Sequence, residues 1–221
     1  MSAPDDLPGW LQPLRDGAAT LTAEQVSLGT SASPPPQARA SAVLMLFGET
    51  GGQPDLLFTE RSHHMRSHPG QVSFPGGRAE PADNGPAATA LREAAEEVGI
   101  LATGVEIFGQ LPTLWLPPSN SAVTTVLAWW REPHDVVAVD PGEVAAVLRV
   151  PLDQLMDPAR RFMVRHPSGW VGPAFDLGDD LVLWGFTAGL VARLLTASGW
   201  ERPWDTTVVR GLPTIARGRL G

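Results

Sequence analysis

The sequence contains no lysine, no cysteine and no tyrosine, and all sixteen of its basic residues are arginine. Without cysteine, a disulfide, a thiol nucleophile and a thiolate metal site are excluded. Without lysine, a Schiff base and a P-loop ammonium group are excluded as well. The lack of cysteine is compatible with a cytoplasmic protein, which is the location we expect.

A long, uninterrupted apolar run is also missing. The most apolar stretch, residues 181–195, is broken by two glycines, a threonine and an arginine, and it is too short to span a bilayer. Residues 1–8 are acidic and contain proline, so they do not resemble a signal peptide. We therefore expect a soluble protein with no membrane partner.

Positive charge is in short supply, since the net charge is -8. This balance argues against a sequence-independent nucleic-acid binder, which needs a basic surface. An acidic protein can still bind a polyanion through a local basic patch or a metal ion. We expect a small-molecule substrate as partner and no nucleic acid, and we leave a homodimer open.

The 221 residues are enough to form one domain with a buried core. Residues 7–16 carry apolar side chains at helical spacing, and a polar stretch that ends in three prolines follows. We interpret residues 1–37 as an N-terminal helix and proline-rich arm, and residues 38–221 as the compact domain.

Apolar runs and turn residues divide the rest of the chain into strands and helices. The pattern predicts strands at residues 40–47, 55–59, 105–111, 122–130 and 144–150, helices at 84–99 and 181–196, and a turn or short helix at 151–156. Strands interleaved with two main helices favour an α/β or α+β fold with a mixed sheet.

The helix predicted at residues 84–99 has clear end signals. Gly85 stands at the N-cap, Pro86 at the first helical position and Gly99 just past the end. At about 100° per residue, one side of this helix is apolar and faces the sheet. The residues on that side are Leu91, Ala94, Ala95 and Val98.

Three glutamates, Glu93, Glu96 and Glu97, share an arc of roughly 100° on the same helix. Each like-charged pair costs about 0.2–0.5 kcal/mol when exposed, and the nearby C-terminal end of the helix dipole also disfavours negative charge. A solvated acidic helix face is one interpretation. A bound divalent cation is the other, because Mg²⁺ and Mn²⁺ prefer hard oxygen ligands.

With its flanking residues, this segment resembles the Nudix box, Gly-x5-Glu-x7-Arg-Glu-U-x-Glu-Glu-x-Gly-U, in which U is aliphatic. The positions that match are Gly77, Arg92, Glu93, Glu96, Glu97, Gly99 and Ile100. The pattern departs at Asp83, which stands where the box has glutamate and lies one residue farther from the arginine. We assign Asp83 no role on this basis.

The resemblance implies an α/β (α+β) Nudix fold, an α/β/α sandwich around a mixed sheet, and a pyrophosphohydrolase that uses Mg²⁺ or Mn²⁺. It implies that a backbone carbonyl near Gly77 helps the three glutamates to bind metal, and that Arg92 orients a glutamate, with Glu96 at the right spacing. Bound metal would neutralise a diphosphate and lower the pKa of an attacking water. The expected metal ligands are Glu93, Glu96, Glu97 and Gly77.

A further carboxylate, Glu143, precedes the last predicted strand, where Nudix enzymes often supply a ligand or general base. A surface turn is the alternative explanation for this glutamate. The expected catalytic residues are Glu93, Glu97, Arg92 and Glu143.

Residues 57–77 resemble the signature that precedes the box in coenzyme A pyrophosphatases, Leu-Leu-Thr-x-Arg-Ser-x-x-Leu-Arg-x-His-x-Gly-Gln-Val-Ser-Phe-Pro-Gly-Gly, with departures at Phe58 and Met65. This likeness implies hydrolysis of coenzyme A to 3′-phosphoadenosine 5′-phosphate and 4′-phosphopantetheine. Arginine also matches phosphate oxygens bidentately. The candidate substrate-binding residues are Arg61, Arg66, His68, Gln71, Ser73 and Arg78.

Several alternatives stay open. The substrate of a Nudix enzyme of this kind could instead be ADP-ribose or NADH. A non-catalytic Nudix-like nucleotide sensor is a second rival, although such modules usually lose box glutamates that this chain keeps. The three histidines at 63, 64 and 68 could suggest zinc, or they could contact phosphate, solvent or neighbouring side chains. The tryptophans could stack on adenine or pack in the core.

Overall fold

Two β-sheets frame the molecule in this computed structural model, which describes residues 6–27, 33–65 and 68–212. The first sheet contains β1 (Arg39–Thr50), β2 (Gln53–Arg61), β3 (Val72–Ser73), β4 (Gly76–Arg78), β5 (Val105–Gln110), β6 (Leu114–Leu116), β7 (Ser121–Trp130) and β8 (Val144–Pro151). The second contains β9 (Arg161–Arg165), β10 (Val171–Gly178), β11 (Leu181–Leu183) and β12 (Val209–Gly211). The helices are α1 (Gln12–Thr20), α2 (Ala23–Val26), α3 (Pro86–Val98), α4 (Leu152–Met156) and α5 (Gly185–Ala197).

The first sheet is mixed, as the sequence predicts. β1 pairs in parallel with β7 and antiparallel with β2 and β4, while β2 pairs antiparallel with β8 and β3. The hairpin between β1 and β2 turns at Gly51 and Gly52, with Thr50 opposite Gln53. Both hairpin strands and the predicted strands β5, β7 and β8 are confirmed.

Helices cover both faces of this sheet. On one face α3 buries Ala90, Ala94 and Val98 against the leucines of β1. On the other face α1 and α5 pack in a separate cluster with the remaining core residues. The predicted α/β/α sandwich is therefore confirmed. Ala95 is exposed, contrary to prediction, because the buried arc is centred on Ala94 and its neighbours one turn away.

The N-terminal helix is shifted from its predicted span of 7–16. A short 3-10 turn comes first and α1 begins at Gln12, where the following proline is well placed in the first helical turn. Leu11 and Leu14 are fully buried in the same cluster as β1. α2 lies within the stretch that we predicted to be an arm, and its Val26 is buried in that cluster too.

The predicted helix at 181–196 is wrong in its first residues. Leu181–Leu183 form β11, which pairs with β10, and α5 begins only at Gly185. Trp184 is extended and Gly185 has a φ of 69°, in the left-handed region, so a right-handed helix cannot run through this point. Strands β9, β10 and β12 were not predicted. Among the described residues, no helix has the length and apolar character needed to cross a membrane.

A buried ion pair fastens β8 to the β1–β2 hairpin. Asp55 is 2% exposed and accepts from the Nη2 of Arg149 at 2.8 Å and from the Oγ1 of Thr50. The same guanidinium lies 4.8 Å above the ring of Trp130. Asp55 therefore neutralises a cation that packs against the core.

We expect Asp55→Ala to lower the free energy of unfolding by about 3 kcal/mol, because it leaves Arg149 without its counter-charge. Urea unfolding measures the change. The matched control is Asp153→Ala. The Asp153 side chain is 82% exposed and forms a long ion pair with Arg202, at 3.7 Å. Its loss should lower the free energy of unfolding by less than about 0.5 kcal/mol. Equal losses in the two variants would contradict the role given to Asp55.

Candidate active site

The helix α3 begins and ends as its sequence predicts. Gly85 is its N-cap, Pro86 occupies the first position, and Gly99 ends it in the left-handed conformation with a φ of 76°. The helix packs against β1 and β4, so its C-terminal half lies beside Gly76 and Gly77. This placement brings the glutamates close to Gly77, the glycine with which the Nudix box begins.

Glu97 points inward and is the most buried of the three glutamates. Its Oε2 accepts from the backbone N–H of Gly76 at 3.2 Å. Burial raises the pKa of Glu97 to about 7, partly offset by the Gly76 bond and increased by the neighbouring charge of Glu93. Burial therefore outweighs the hydrogen bond and the nearby positive charge that favour the ionised carboxylate of Glu97.

Glu93 lies directly over Gly77. A Cβ atom added to Gly77 would be 2.5 Å from Oε1 and 2.7 Å from Oε2 of Glu93, so any side chain there would displace the carboxylate. Burial raises the pKa of Glu93, and Arg92, which donates to it at 3.2 Å, opposes the shift. The glycine thus brings backbone and carboxylate oxygens close together.

Glu96 is turned differently. Its side chain is 59% exposed and accepts from Nη1 of Arg92 at 3.0 Å, as the spacing of four residues predicts. In the ranges 6–27, 33–65 and 68–212, no three acidic or histidine side chains are close enough to hold one ion as they stand.

The donor set nevertheless fits a hard divalent cation. Glu93 and Glu97 are both partly buried, and the charge of Glu93 raises the cost of charging Glu97, a conflict that a divalent cation bound to both carboxylates would relieve. The Gly77 cradle leaves the backbone open to approach. Glu96 would join them by rotating an exposed side chain away from Arg92. The assignment of Glu93, Glu96, Glu97 and Gly77 as metal ligands is kept as a proposal on this basis.

Asp83, to which the sequence assigned no role, is the main partner of Arg92. Its Oδ1 accepts from Nε at 3.1 Å and its Oδ2 from Nη2 at 3.0 Å. These bonds to Arg92, together with the N–H of Glu80, hold the pKa of Asp83 well below its usual range. Arg92 also donates to the carbonyl of Arg78 at 2.8 Å. Although the spacer between Asp83 and Arg92 is one residue longer than in the Nudix box, a carboxylate still lies against the arginine.

Glu143 lies close enough to influence the buried glutamates, because its charge raises the pKa of both Glu93 and Glu97. Two backbone hydrogen bonds hold its loop in place. Ser62 N donates to the carbonyl of Glu143 at 2.8 Å, and Val139 N donates to the carbonyl of Glu97 at 3.0 Å. The Glu143 side chain is exposed to solvent.

Among the upstream candidates that the structure describes, Arg61 is the one whose charge lowers the pKa of Glu97. Its backbone closes the loop at 62–70, because Arg61 N donates to the carbonyl of Gln71 and Gly70 N donates to that of Arg61, both at 3.0 Å. In the described part of the chain, its buried Nε has no hydrogen-bond partner. A donor of this kind suits a phosphate oxygen.

The other candidates are placed around this loop. Ser73 lies on β3 with its Oγ 3.3 Å from Oγ1 of Thr59. His68 adopts a φ of 56° in the turn, and Arg78 exposes its side chain on β4. Arg66 lies outside the described residues.

The histidine at 63 has partners other than a metal. Its Nε2 is 2.9 Å from Oε1 of Glu60. Its ring covers Gly70, where an added Cβ would lie 2.7 Å from Cε1 of His63. These contacts favour the packing interpretation over the zinc site for His63.

The raised pKa values predict how the metal-free protein responds to pH. Unfolding returns Glu97 from a pKa of about 7 to its ordinary value of 4.5, so the folded state binds the extra proton between these values. This contribution to stability is complete below pH 4.5 and is lost as pH rises through 7. We therefore expect the midpoint temperature of thermal unfolding in EDTA to decrease as the pH rises from 5 to 8.

Scanning calorimetry of the wild type and of Glu97→Gln across the same pH range isolates this effect. The variant should lack the fall, and Mn²⁺ should raise the wild-type midpoint more at pH 8 than at pH 5. Parallel curves for wild type and variant would show that Glu97 is not the titrating group.

Sequence comparisons place these features in a known family. A family model described as the NUDIX domain matches residues 36–168, which is more than half of the chain. The chain is 36% identical over 144 residues to the Uncharacterized Nudix hydrolase NudL of Yersinia enterocolitica, covering 64% of this chain and 73% of that protein. It is 41% identical over 174 residues to the protein of the same name from Photorhabdus laumondii, covering 73% and 89% respectively.

Two further similarities differ in how much of the partner they cover. The chain is 34% identical over 175 residues to the mitochondrial Nudix hydrolase 15 of Arabidopsis thaliana, but this covers only 60% of that protein. A crystal structure of the Nudix hydrolase RenU from M. smegmatis superposes with a TM-score of 0.52 over 76% of this chain and 90% of that chain, at 20% identity, which supports the fold. With the box glutamates and their helix in place, this chain belongs to the Nudix hydrolase family, whose members act on nucleoside diphosphate derivatives with divalent metal ions.

Proposed function

We propose that this Nudix hydrolase cleaves the diphosphate of coenzyme A, with Mg²⁺ or Mn²⁺, to 3′-phosphoadenosine 5′-phosphate and 4′-phosphopantetheine. The observation that carries the proposal is the position of the segment from residue 57 to residue 77, which resembles the coenzyme A pyrophosphatase signature. Arg61 acts on Glu97 at one end of this segment, and Gly76 and Gly77 contact the glutamates at the other.

The substrate diphosphate would bind between Arg61 and the glutamate helix. Arg61 presents a buried Nε donor that has no partner in the described residues, and a phosphate oxygen would supply the missing acceptor. Glu93, Glu96 and Glu97, with the backbone near Gly77, would hold the metal. When bound, that metal neutralises diphosphate charge and lowers the pKa of the attacking water.

We propose that Glu143 is the general base that accepts the proton of that water. Glu93 and Glu97 would both hold the metal, whereas the Glu143 side chain is exposed and its charge raises the pKa of both of them. A carboxylate held in reach of the water can act as a general base. The backbone bond from Ser62 ties this base to the segment that carries Arg61.

A substrate panel tests the proposed specificity. We expect kcat/KM with Mg²⁺ or Mn²⁺ to be at least about tenfold higher for coenzyme A than for ADP-ribose or NADH. The three compounds differ in the groups on either side of the diphosphate, and contacts of the protein to those groups favour one compound over the others. The matched control is the same panel in EDTA. A preference for ADP-ribose of about a hundredfold would reject coenzyme A as the main substrate. Nucleotide binding without hydrolysis of any compound would instead indicate a sensor.

A further inference from the structure

The second sheet carries an aromatic and cationic surface, which we call the aromatic platform and define as His166, Trp170, Trp184 and Arg210. Beneath it lies a small buried cluster formed by Phe162, Val164 and Ala174. The two tryptophans and His166 are only partly buried, and Arg210 is exposed. The platform therefore has a packed base and a solvent-facing upper surface.

Two rings of the platform are already stacked. The ring centroids of His166 and Trp184 are 5.7 Å apart, with 24° between the planes. The backbone N–H of Ser168 donates to Nδ1 of His166 at 3.1 Å, so in the neutral imidazole Nε2 carries the proton. Within the described residues, that Nε2 has no hydrogen-bond partner. The stack thus combines a flat apolar surface with an available donor.

Arg210 adds a positive charge that no carboxylate of residues 6–27, 33–65 and 68–212 balances in an ion pair. Its guanidinium lies 4.3 Å above the ring of Phe162. In the part of the chain that the structure describes, it forms no ion pair, whereas Arg161 on the neighbouring strand is paired with Glu201 at 2.7 Å. An uncompensated arginine in a protein with a net charge of -8 favours an anionic ligand.

The platform is continuous with the candidate active site. β11, which leads into Trp184, contacts β3 of the upstream segment. A Cβ atom built on Gly185 would lie 3.6 Å from Nε2 of Gln71. The carbonyl of Gln71 in turn accepts from Arg61, the residue that acts on Glu97. A single extended ligand could therefore reach from the glutamates to the platform.

We propose that the aromatic platform binds the nucleoside end of the substrate. The adenine would stack on the Trp184–His166 pair, and the Arg210 guanidinium would bind a phosphate on the ribose. Aromatic side chains bind any base through its flat face, and arginine matches phosphate oxygens. The inference deepens the proposed function and rests on it, because coenzyme A carries such a ribose 3′-phosphate.

Steady-state kinetics on four variants test this assignment. Arg210→Gln should raise KM for coenzyme A about tenfold but change KM for 3′-dephospho-coenzyme A less than about twofold, since only the former carries the extra phosphate. His166→Leu and Trp184→Leu should raise KM for both compounds about tenfold with kcat nearly unchanged. Trp184→Phe keeps an aromatic ring, so its KM should change less than about threefold. Equal effects of Arg210→Gln on both compounds would overturn the phosphate assignment.

The matched control is Arg165→Gln. Arg165 is also exposed on the second sheet, but it follows the buried Val164 along β9 and so lies on the opposite face. This variant should bind both compounds as the wild type does. A KM increase in Arg165→Gln equal to that in Arg210→Gln would show a general charge effect and contradict the platform.

Binding of adenosine 3′,5′-bisphosphate, measured by calorimetry, separates this inference from the proposed function. If wild type binds it and Arg210→Gln and Trp184→Leu bind it at least about tenfold more weakly, the platform stands even where coenzyme A is not hydrolysed. If wild type hydrolyses coenzyme A while all four variants retain its KM and affinity, the platform is wrong and the hydrolase assignment stands. Trp184→Phe and His166→Leu keep this test decisive if Trp184→Leu fails to fold.

Discussion

Glu97→Gln is expected to lower kcat by about 10³-fold while leaving the fold intact. The substitution keeps the size and the acceptor oxygen that meets the N–H of Gly76 at 3.2 Å. It removes the negative charge that a divalent cation needs at the centre of the site. Glu97 is the buried member of the glutamate set, so no solvent-exposed carboxylate can take its place.

Single-turnover rates on coenzyme A at saturating Mn²⁺ would measure this loss, with isothermal titration of Mn²⁺ alone as a second readout. The matched control is Glu132→Gln, an exposed glutamate beyond β7, which should keep full activity. Calorimetry in EDTA at pH 8 should show that Glu97→Gln unfolds at a higher temperature than wild type, because burial no longer opposes a charge. An active Glu97→Gln enzyme would reject the metal-binding role of this helix.

Arg92→Met should reduce kcat by about 30- to 100-fold, because the arginine positions groups that touch the metal rather than the substrate. Its guanidinium donates to the backbone carbonyl of Arg78 and to the carboxylate of Asp83, and these hydrogen bonds link both residues to α3. It also donates to Glu93 and Glu96. Methionine preserves the apolar stem but leaves these acceptors without a donor.

A positioning role for Arg92 makes a specific demand on Asp83. Asp83→Asn should weaken Mn²⁺ binding and lower kcat in the same direction as Arg92→Met, and the double variant should lose little more than the worse single variant. Asp83→Glu should restore part of the activity, since the family pattern has glutamate at this position. Additive losses in the double variant would show that the two residues act independently.

The sequence was most informative where local chemistry decides the structure. Gly85, Pro86 and Gly99 fix the ends of α3 by their own backbone preferences, and the glutamate spacing follows from helix geometry. The five longer strands of the first sheet were equally readable, because their apolar runs are bounded by glycine and proline turns, whereas the short strands β3, β4 and β6 were not predicted. Trp130, only 1% exposed, confirms the packing interpretation for that tryptophan.

Tertiary contacts decided the features that the sequence did not reveal. Asp83 lies in the loop before α3 and Arg92 lies within that helix, so their contact depends on the path of the loop between β4 and α3, which no local pattern specifies. In the second sheet β9, β10 and β11 are neighbours in the chain, but β12 comes from beyond α5 and pairs in parallel with β9. Such long-range pairing leaves only a weak alternation in each short segment.

Some of the candidate substrate-binding residues could be placed from the sequence, and others could not. Arg61 ends β2, two residues past the strand predicted at 55–59, and its charge lowers the pKa of Glu97. His166 and Arg210 belong to the second sheet, which was not predicted, so no sequence pattern indicated that they lie near the segment that contains Gln71. Only the contact between β11 and β3 makes them candidates.

Product identification by mass spectrometry tests the central claim most directly. Incubation of the full chain with coenzyme A and Mg²⁺ or Mn²⁺ should yield equal amounts of 3′-phosphoadenosine 5′-phosphate and 4′-phosphopantetheine, with no products in EDTA or with Glu97→Gln. Coenzyme A that stays intact with metal present, while ADP-ribose or NADH is cleaved, would contradict the coenzyme A assignment. Equal yields of the two products in EDTA would contradict the metal-dependent mechanism itself.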